Sequence, residues 1–205
     1  VTSSVMNFTT ETTLQWSYET GTGVGSVAIS ADGEYIAAGS VDSEVYLFDK
    51  DSNTPLWSYT TGNRVYSVSI SDDSEYIAAG SADNKVYLFD KDSSTPLWNY
   101  TAGNSVFSVD ISADGEYITA GSGGKNDKVY LFNKDNRTPL WNYTARLSIN
   151  SVSISADGEY IAAGGNDDGV YLFNKAVPVS VEGDDTSEED SENDDSNEIT
   201  WYQLE

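Results

Sequence analysis

The sequence predicts an all-β fold, a four-bladed β-propeller array of four-stranded antiparallel blades, from three observations. One unit of 41–43 residues recurs four times, with Trp16, Trp57, Trp98 and Trp141 spaced by 41, 41 and 43 residues. Apolar residues alternate with period two inside each unit, and no stretch carries a helical period. Turn residues separate the short runs at regular intervals. A period of this length marks a solenoid or a propeller, and a strand-only unit selects the propeller.

The copy at 65–102 shows each element. In VYSVSIS (65–71), Tyr66, Val68 and Ile70 alternate with Ser67, Ser69 and Ser71. Asp72-Asp73-Ser74 is a turn, where the other copies place Ala-Asp-Gly at 31–33, 113–115 and 156–158. Glycine suits a left-handed residue closing a hairpin, so Ser74 costs roughly 1 kcal/mol there. EYIAAGS (75–81) is a strand of small residues, which implies close packing over both faces. Asp83-Asn84 turns the chain into KVYLFD (85–90), a strongly β-prone run. After the polar loop 91–95, Pro96 opens the outermost strand, LWNYT (97–101). A single such sheet has two faces to cover, and neighbouring sheets of the same kind cover them.

The expected map is an N-terminal segment at 1–13 and propeller repeats at 14–175. The blades lie at about 24–61, 65–102, 106–145 and 149–175, the last needing a closing strand. Residues 182–198 hold ten acidic residues and no basic one, so 176–198 reads as an acidic, self-repelling linker. Apolar character returns in 199–205, ITWYQLE.

The 205 residues include no cysteine and no histidine, and carry a net charge of −24. Disulfide and thiolate chemistry are excluded, and so are the usual neutral-pH base and the commonest metal ligand. The acidic surface disfavours nucleic acid and anionic lipid as partners. No run of 18 apolar residues spans a bilayer. VTSSVMNFTT shows neither a charged n-region nor an apolar h-region, and residue 1 is Val, so the chain reads as processed or cut from something longer.

The unit SISADGEYIAAGSADNKVYLFD resembles the WD-repeat family in its turn, its Ala/Gly-rich strand and its terminal pair. Phe48-Asp49, Phe89-Asp90, Phe132-Asn133 and Phe173-Asn174 stand where that family has Trp-Asp. The family's Gly-His pair is missing. The end of the unit is more similar to the quinoprotein-like (PQQ-like) repeat, in which an Asp is followed eight residues later by a Trp that docks on the next blade. Asp49 to Trp57, Asp90 to Trp98 and Asn133 to Trp141 keep that spacing. The resemblance implies docking roles for Trp16, Trp57, Trp98, Trp141 and Trp201. It would also imply a quinone dehydrogenase with a central cofactor and a metal. Against that stand four blades rather than eight, no paired cysteines, and no residue that breaks the repeat as a grafted active site would. The expectation is a protein that is not an enzyme and has no cofactor.

Four further features are weighed. Asp49 and Asp51, like Asp90 and Asp92, offer paired oxygens at a calcium-like spacing. Thr54 and Thr95, however, fill the glycine position of the EF-hand loop, so solvated turns are the favoured reading. Asn7, Asn99, Asn136 and Asn142 head glycosylation sequons. Tyr46, Tyr87, Tyr130 and Tyr171 are expected to pack between blades rather than line a carbohydrate site. The acidic run reads as a solvated linker before a site for calcium or a basic partner.

The first three strands occur four times, whereas the Trp strand has five candidates: 14–18, 56–59, 97–100, 140–143 and 200–203. One completes blade four and one is spare. Either 14–18 closes the ring beside 170–174, or 199–205 folds back, or the chain is part of a larger propeller. The expected function is a non-catalytic extracellular or cell-surface module (the alternative is cytoplasmic) for interaction, adhesion or self-assembly. Self-association would proceed by strand addition through 14–18 or 199–205. The alternative is a propeller that senses a ligand or calcium.

Overall fold

The computed structural model describes residues 13–124 and 127–175. They form fifteen strands, and among them there is no helix. Blade one is β1 (Val24–Ile29), β2 (Tyr35–Ser40), β3 (Glu44–Asp49) and β4 (Trp57–Thr60). Blade two is β5 (Val65–Ile70), β6 (Tyr76–Ser81), β7 (Lys85–Asp90) and β8 (Trp98–Thr101). Blade three is β9 (Ser105–Ile111), β10 (Tyr117–Gly123), β11 (Lys128–Asn133) and β12 (Asn136–Thr144). Blade four has three described strands, β13 (Ile149–Ile154), β14 (Tyr160–Gly165) and β15 (Val170–Asn174). Every sheet is an antiparallel meander in chain order.

The repeated Ser-x-Asp-x-Glu-Tyr text builds the first hairpin of each blade. Ser30 Oγ donates to Asp32 Oδ1 at 2.6 Å, the same oxygen accepts the Glu34 N–H, and Ser30 Oγ accepts the Tyr35 N–H. The network recurs at Ser112–Asp114 and Ser155–Asp157. Gly33, Gly115 and Gly158 take φ of +70 to +74°, and Ser74 is held at +64° in the same place. Each turn is braced by an ion pair to the end of the third strand: Lys50–Glu34, Lys91–Glu75, Lys134–Glu116 and Lys175–Glu159.

The core lies between blades. Ala37, Val45 and Leu47 of blade one meet Val65, Val68, Ile70 and Ile77 of blade two. Ala78, Val86 and Leu88 repeat this against Val106, Val109, Ile111 and Ile118. Val129 and Leu131 repeat it against Ile149, Val152, Ile154 and Ile161. The small residues of the second strand make room for this approach. A methyl group on Gly39 would stand 2.6 Å from Val65 Cγ1, and one on Gly80 2.7 Å from Val106 Cγ1.

Two details depart from the sequence reading, and of the alternatives it left open for closing blade four one is not seen among the described residues. A bulge between Val65 and Ser67 shifts the phase of β5, so Val65 joins Val68 and Ile70 in the core. Tyr66 turns away to meet Phe107 edge-on at 5.2 Å. Pro96 precedes the outer strand, which begins at Trp98. The segment 14–18 is not paired with β15; Trp16 lies on Phe48 of blade one, ring centroids 5.4 Å apart. Residues 199–205 and Trp201 lie outside the described residues, as does the acidic run at 182–198.

Candidate functional site

The four blades make an open array, and its two ends are the surfaces that differ from everything inside it. At the head, Val27 is 67% exposed and Ile29 64%, whereas their counterparts Val68 and Ile70 are at most 9% exposed. At the tail, Val170 is 89% exposed and Leu172 72%, whereas Val86 and Leu88 are fully buried. The same side chains that form the core between blades therefore face water at both ends. A shallow depression on the tail is lined by Ser151, Ser153, Ala162, Gly164 and Val170.

Polar contacts between blades follow the same rule. Ser26 Oγ accepts the Val68 N–H, Ser67 Oγ that of Val109, and Ser108 Oγ that of Val152, each at 3.1 Å. Among the described residues no serine of a preceding blade stands against Val27, and no following blade stands against Ser151. One row departs from the repeat: Ala28, Ser69, Asp110 and Ser153 occupy matching positions. Asp110 accepts hydrogen bonds from Ser69 Oγ, Ser153 Oγ and the Ile154 N–H, each at 3.0 Å, and so ties three blades together. The sequence reading missed Asp110, although it is the one acidic residue in that row.

The tryptophans dock forward by one blade. Trp57 Nε1–H donates to the Lys91 carbonyl at 2.7 Å and Trp98 to that of Lys134 at 2.6 Å. Trp16 does the same to Lys50 at 2.6 Å, so it occupies on blade one the place of an outer strand from a preceding blade. Trp141 packs on Phe173, and its buried Nε1 finds no partner among the described residues. Tyr46, Tyr87, Tyr130 and Tyr171 stack on Phe48, Phe89, Phe132 and Phe173 of the same strands. Burial, then hydrogen bonds to Asp42 and Asp83, push the Tyr46 and Tyr87 hydroxyls well above the ordinary phenol range. Burial raises Tyr130 to about 12; its hydroxyl donates to the Ala102 carbonyl. The hydrogen bond to Asp167 raises Tyr171 to about 12.

Residues 2–108, and again 71–177, match the PQQ-like repeat family described as outer membrane protein assembly factor BamB. The chain belongs to this family. No curated relative matches it. In this BamB-family propeller the quinoprotein-like part of the resemblance, with its forward-docking tryptophan, is the part that the match supports.

The remaining sequence candidates in the BamB-family chain fall on separate surfaces. Asp49 Oδ1 accepts the Asp51 N–H and Asp90 Oδ1 the Asp92 N–H, each at 2.8 Å; Lys50 and Lys91 pair with Asp51 and Asp92. The two loops stand on different blades and are not brought together. Among the described residues no three acidic side chains gather as a cation cluster. Asn99, Asn136 and Asn142 are exposed on the outer strands, and Asn7 lies outside the described residues. None of the described residues belongs to a helix long and apolar enough to cross a membrane.

Proposed function

We propose that this BamB-family chain is a non-catalytic scaffold that binds protein partners, other copies of itself included, through its open strand edge and end faces. It acts outside the cytoplasm or at the cell surface. One observation carries the reading: Trp16 sits where the outer strand of another blade belongs, while blade four ends at β15 with its edge open among the described residues. An open sheet edge at one end of the array and an extended segment outside any sheet at the other are the two parts that strand addition between copies uses. The family description, an assembly factor, agrees with a scaffolding role. The polar groups of the repeat are engaged in turns and in contacts between blades, which supports a structural rather than a chemical task. The exposed sequons at Asn99, Asn136 and Asn142 and the net charge of −24 support an exterior setting.

Light scattering on the full chain and on a chain lacking 183–205 tests the reading. Association that rises with concentration is expected. Its loss on truncation assigns the added strand to 199–205, and its persistence assigns it to 14–18. A single-chain mass at every concentration, unchanged by truncation, would overturn strand exchange.

A further inference from the structure

The two end faces of the array are complementary to each other, residue by residue. Inside the array each blade meets the next through four repeated contacts, and each contact leaves one unmatched half at the head and the other at the tail. In the first, the methyl of Val65, Val106 or Ile149 closes on Gly39, Gly80 or Gly121; Val24 is left at the head, and Gly164, with open space where a Cβ would go, at the tail. In the second, Tyr76 lies against Gly115 and Tyr117 against Gly158; Gly33 is left bare at the head and Tyr160 half-exposed at the tail. In the third, serine accepts the next blade's N–H, which leaves Val27 N at the head and Ser151 at the tail. The fourth is the Trp strand. Blade one already carries 14–18 in the place of a preceding blade's outer strand, and blade four has no outer strand among the described residues.

We propose that the occupant of each end is a second copy of this chain, docked head to tail, so that two copies close one eight-bladed ring. The proposal rests on the self-association reading above and gives it a partner and a register. In each junction Val24 and Val27 of one copy enter the face formed by Gly164, Val170 and Leu172 of the other. Residues 14–18 of the first copy then lie beside β15 of the second and complete its fourth blade. A heterologous contact of this kind closes a ring when the rotation allows, and otherwise runs on as a filament. Closed propellers hold roughly four to eight blades. Two copies of four blades reach the upper bound and three would exceed it, so two is the stoichiometry. Closure of one chain on itself is not the state seen, since the head and tail residues are exposed together.

The test is light scattering on the full chain and on two charge variants, Val27→Asp at the head and Leu172→Asp at the tail. Both sites are exposed in the single copy, so neither variant should impair folding, and far-UV circular dichroism checks this. A mass of two chains is expected for the parent, and of one chain for each variant alone. An equimolar mixture of the variants restores a two-chain species, because one junction then joins an intact head to an intact tail. A parent of one chain at all concentrations would overturn both the ring and self-association. Assembly without a limiting mass, or association that either single variant leaves intact, would overturn the ring and leave self-association standing.

Discussion

The indole N–H of Trp57 donates to the carbonyl of Lys91, 34 residues on and one blade ahead, at 2.7 Å. The ring lies 5.3 Å from Phe89, so one side chain joins two sheets by both packing and a directed bond. Trp57→Phe should keep most of the packing and cost about 1 kcal/mol. Trp57→Ala should cost about 3 kcal/mol. Urea denaturation measures both.

Gly80 and Gly164 hold matching positions, but only Gly80 is covered by a following blade. Gly80→Ala should destabilise by about 1–3 kcal/mol through overpacking against Val106. Gly164→Ala should leave the stability of a single copy unchanged or slightly raised, as for any glycine replaced in a compatible strand. Its effect should instead appear in association, which light scattering reads.

Ser74 holds a left-handed backbone, φ +64°, in the place where the other turns carry glycine. Ser74→Gly should relieve that strain and raise stability by about 1 kcal/mol by the same denaturation measurement.

The turn carboxylates set an acid limit. Hydrogen bonds from serine and from backbone N–H groups hold Asp32, Asp114 and Asp157 below the ordinary aspartate value; at Asp114 they outweigh the opposing effect of burial. A depressed folded-state value contributes stability that is complete above the unfolded value, near 3.8, and is lost as pH falls through the folded one. The melting temperature should therefore drop steeply below about pH 4. The raised hydroxyl of Tyr130 works in the opposite sense. Its contribution is complete below the unfolded phenol value of 10.0 and is lost as pH climbs toward about 12. Tyr130→Phe should flatten that alkaline limb.

Two copies that each carry a net charge of −24 repel at low ionic strength. Salt shortens the screening length from about 10 Å at 0.1 M to about 3 Å at 1 M, while the apolar faces are not weakened. Association should tighten at least about tenfold over that range. Sedimentation velocity at several salt concentrations measures it.

Local chemistry was legible in the sequence. Asp32-Gly33 announces its turn and the Ala37–Gly39 run announces close packing, while forward docking of Trp57 came only as what the resemblance to the quinoprotein-like repeat implies. The bulge at Val65 was not legible, because the alternation of Tyr66, Val68 and Ile70 fits a regular strand equally well. Nor was the blade that Trp16 serves. Its partner is a backbone carbonyl at Lys50, and a carbonyl leaves no signature in side-chain pattern. Whether the array closes depends on the rotation between blades, which no single repeat encodes. The end faces became visible only when Val27 and Leu172 could be compared with their buried counterparts.

A thiol cross-link can report the junction between two copies, since the chain has no cysteine of its own. Ser69 and Asp110, and likewise Asp110 and Ser153, meet side chain to side chain at 3.0 Å across adjacent blades. In the ring, Ala28 of one copy and Ser153 of the other would meet in the same way. The doubly substituted chain, Ala28→Cys with Ser153→Cys, treated with a short bifunctional thiol reagent, should run at the mass of two chains and no higher. A product of single-chain mass, whether cross-linked within itself or unreacted, would contradict the account.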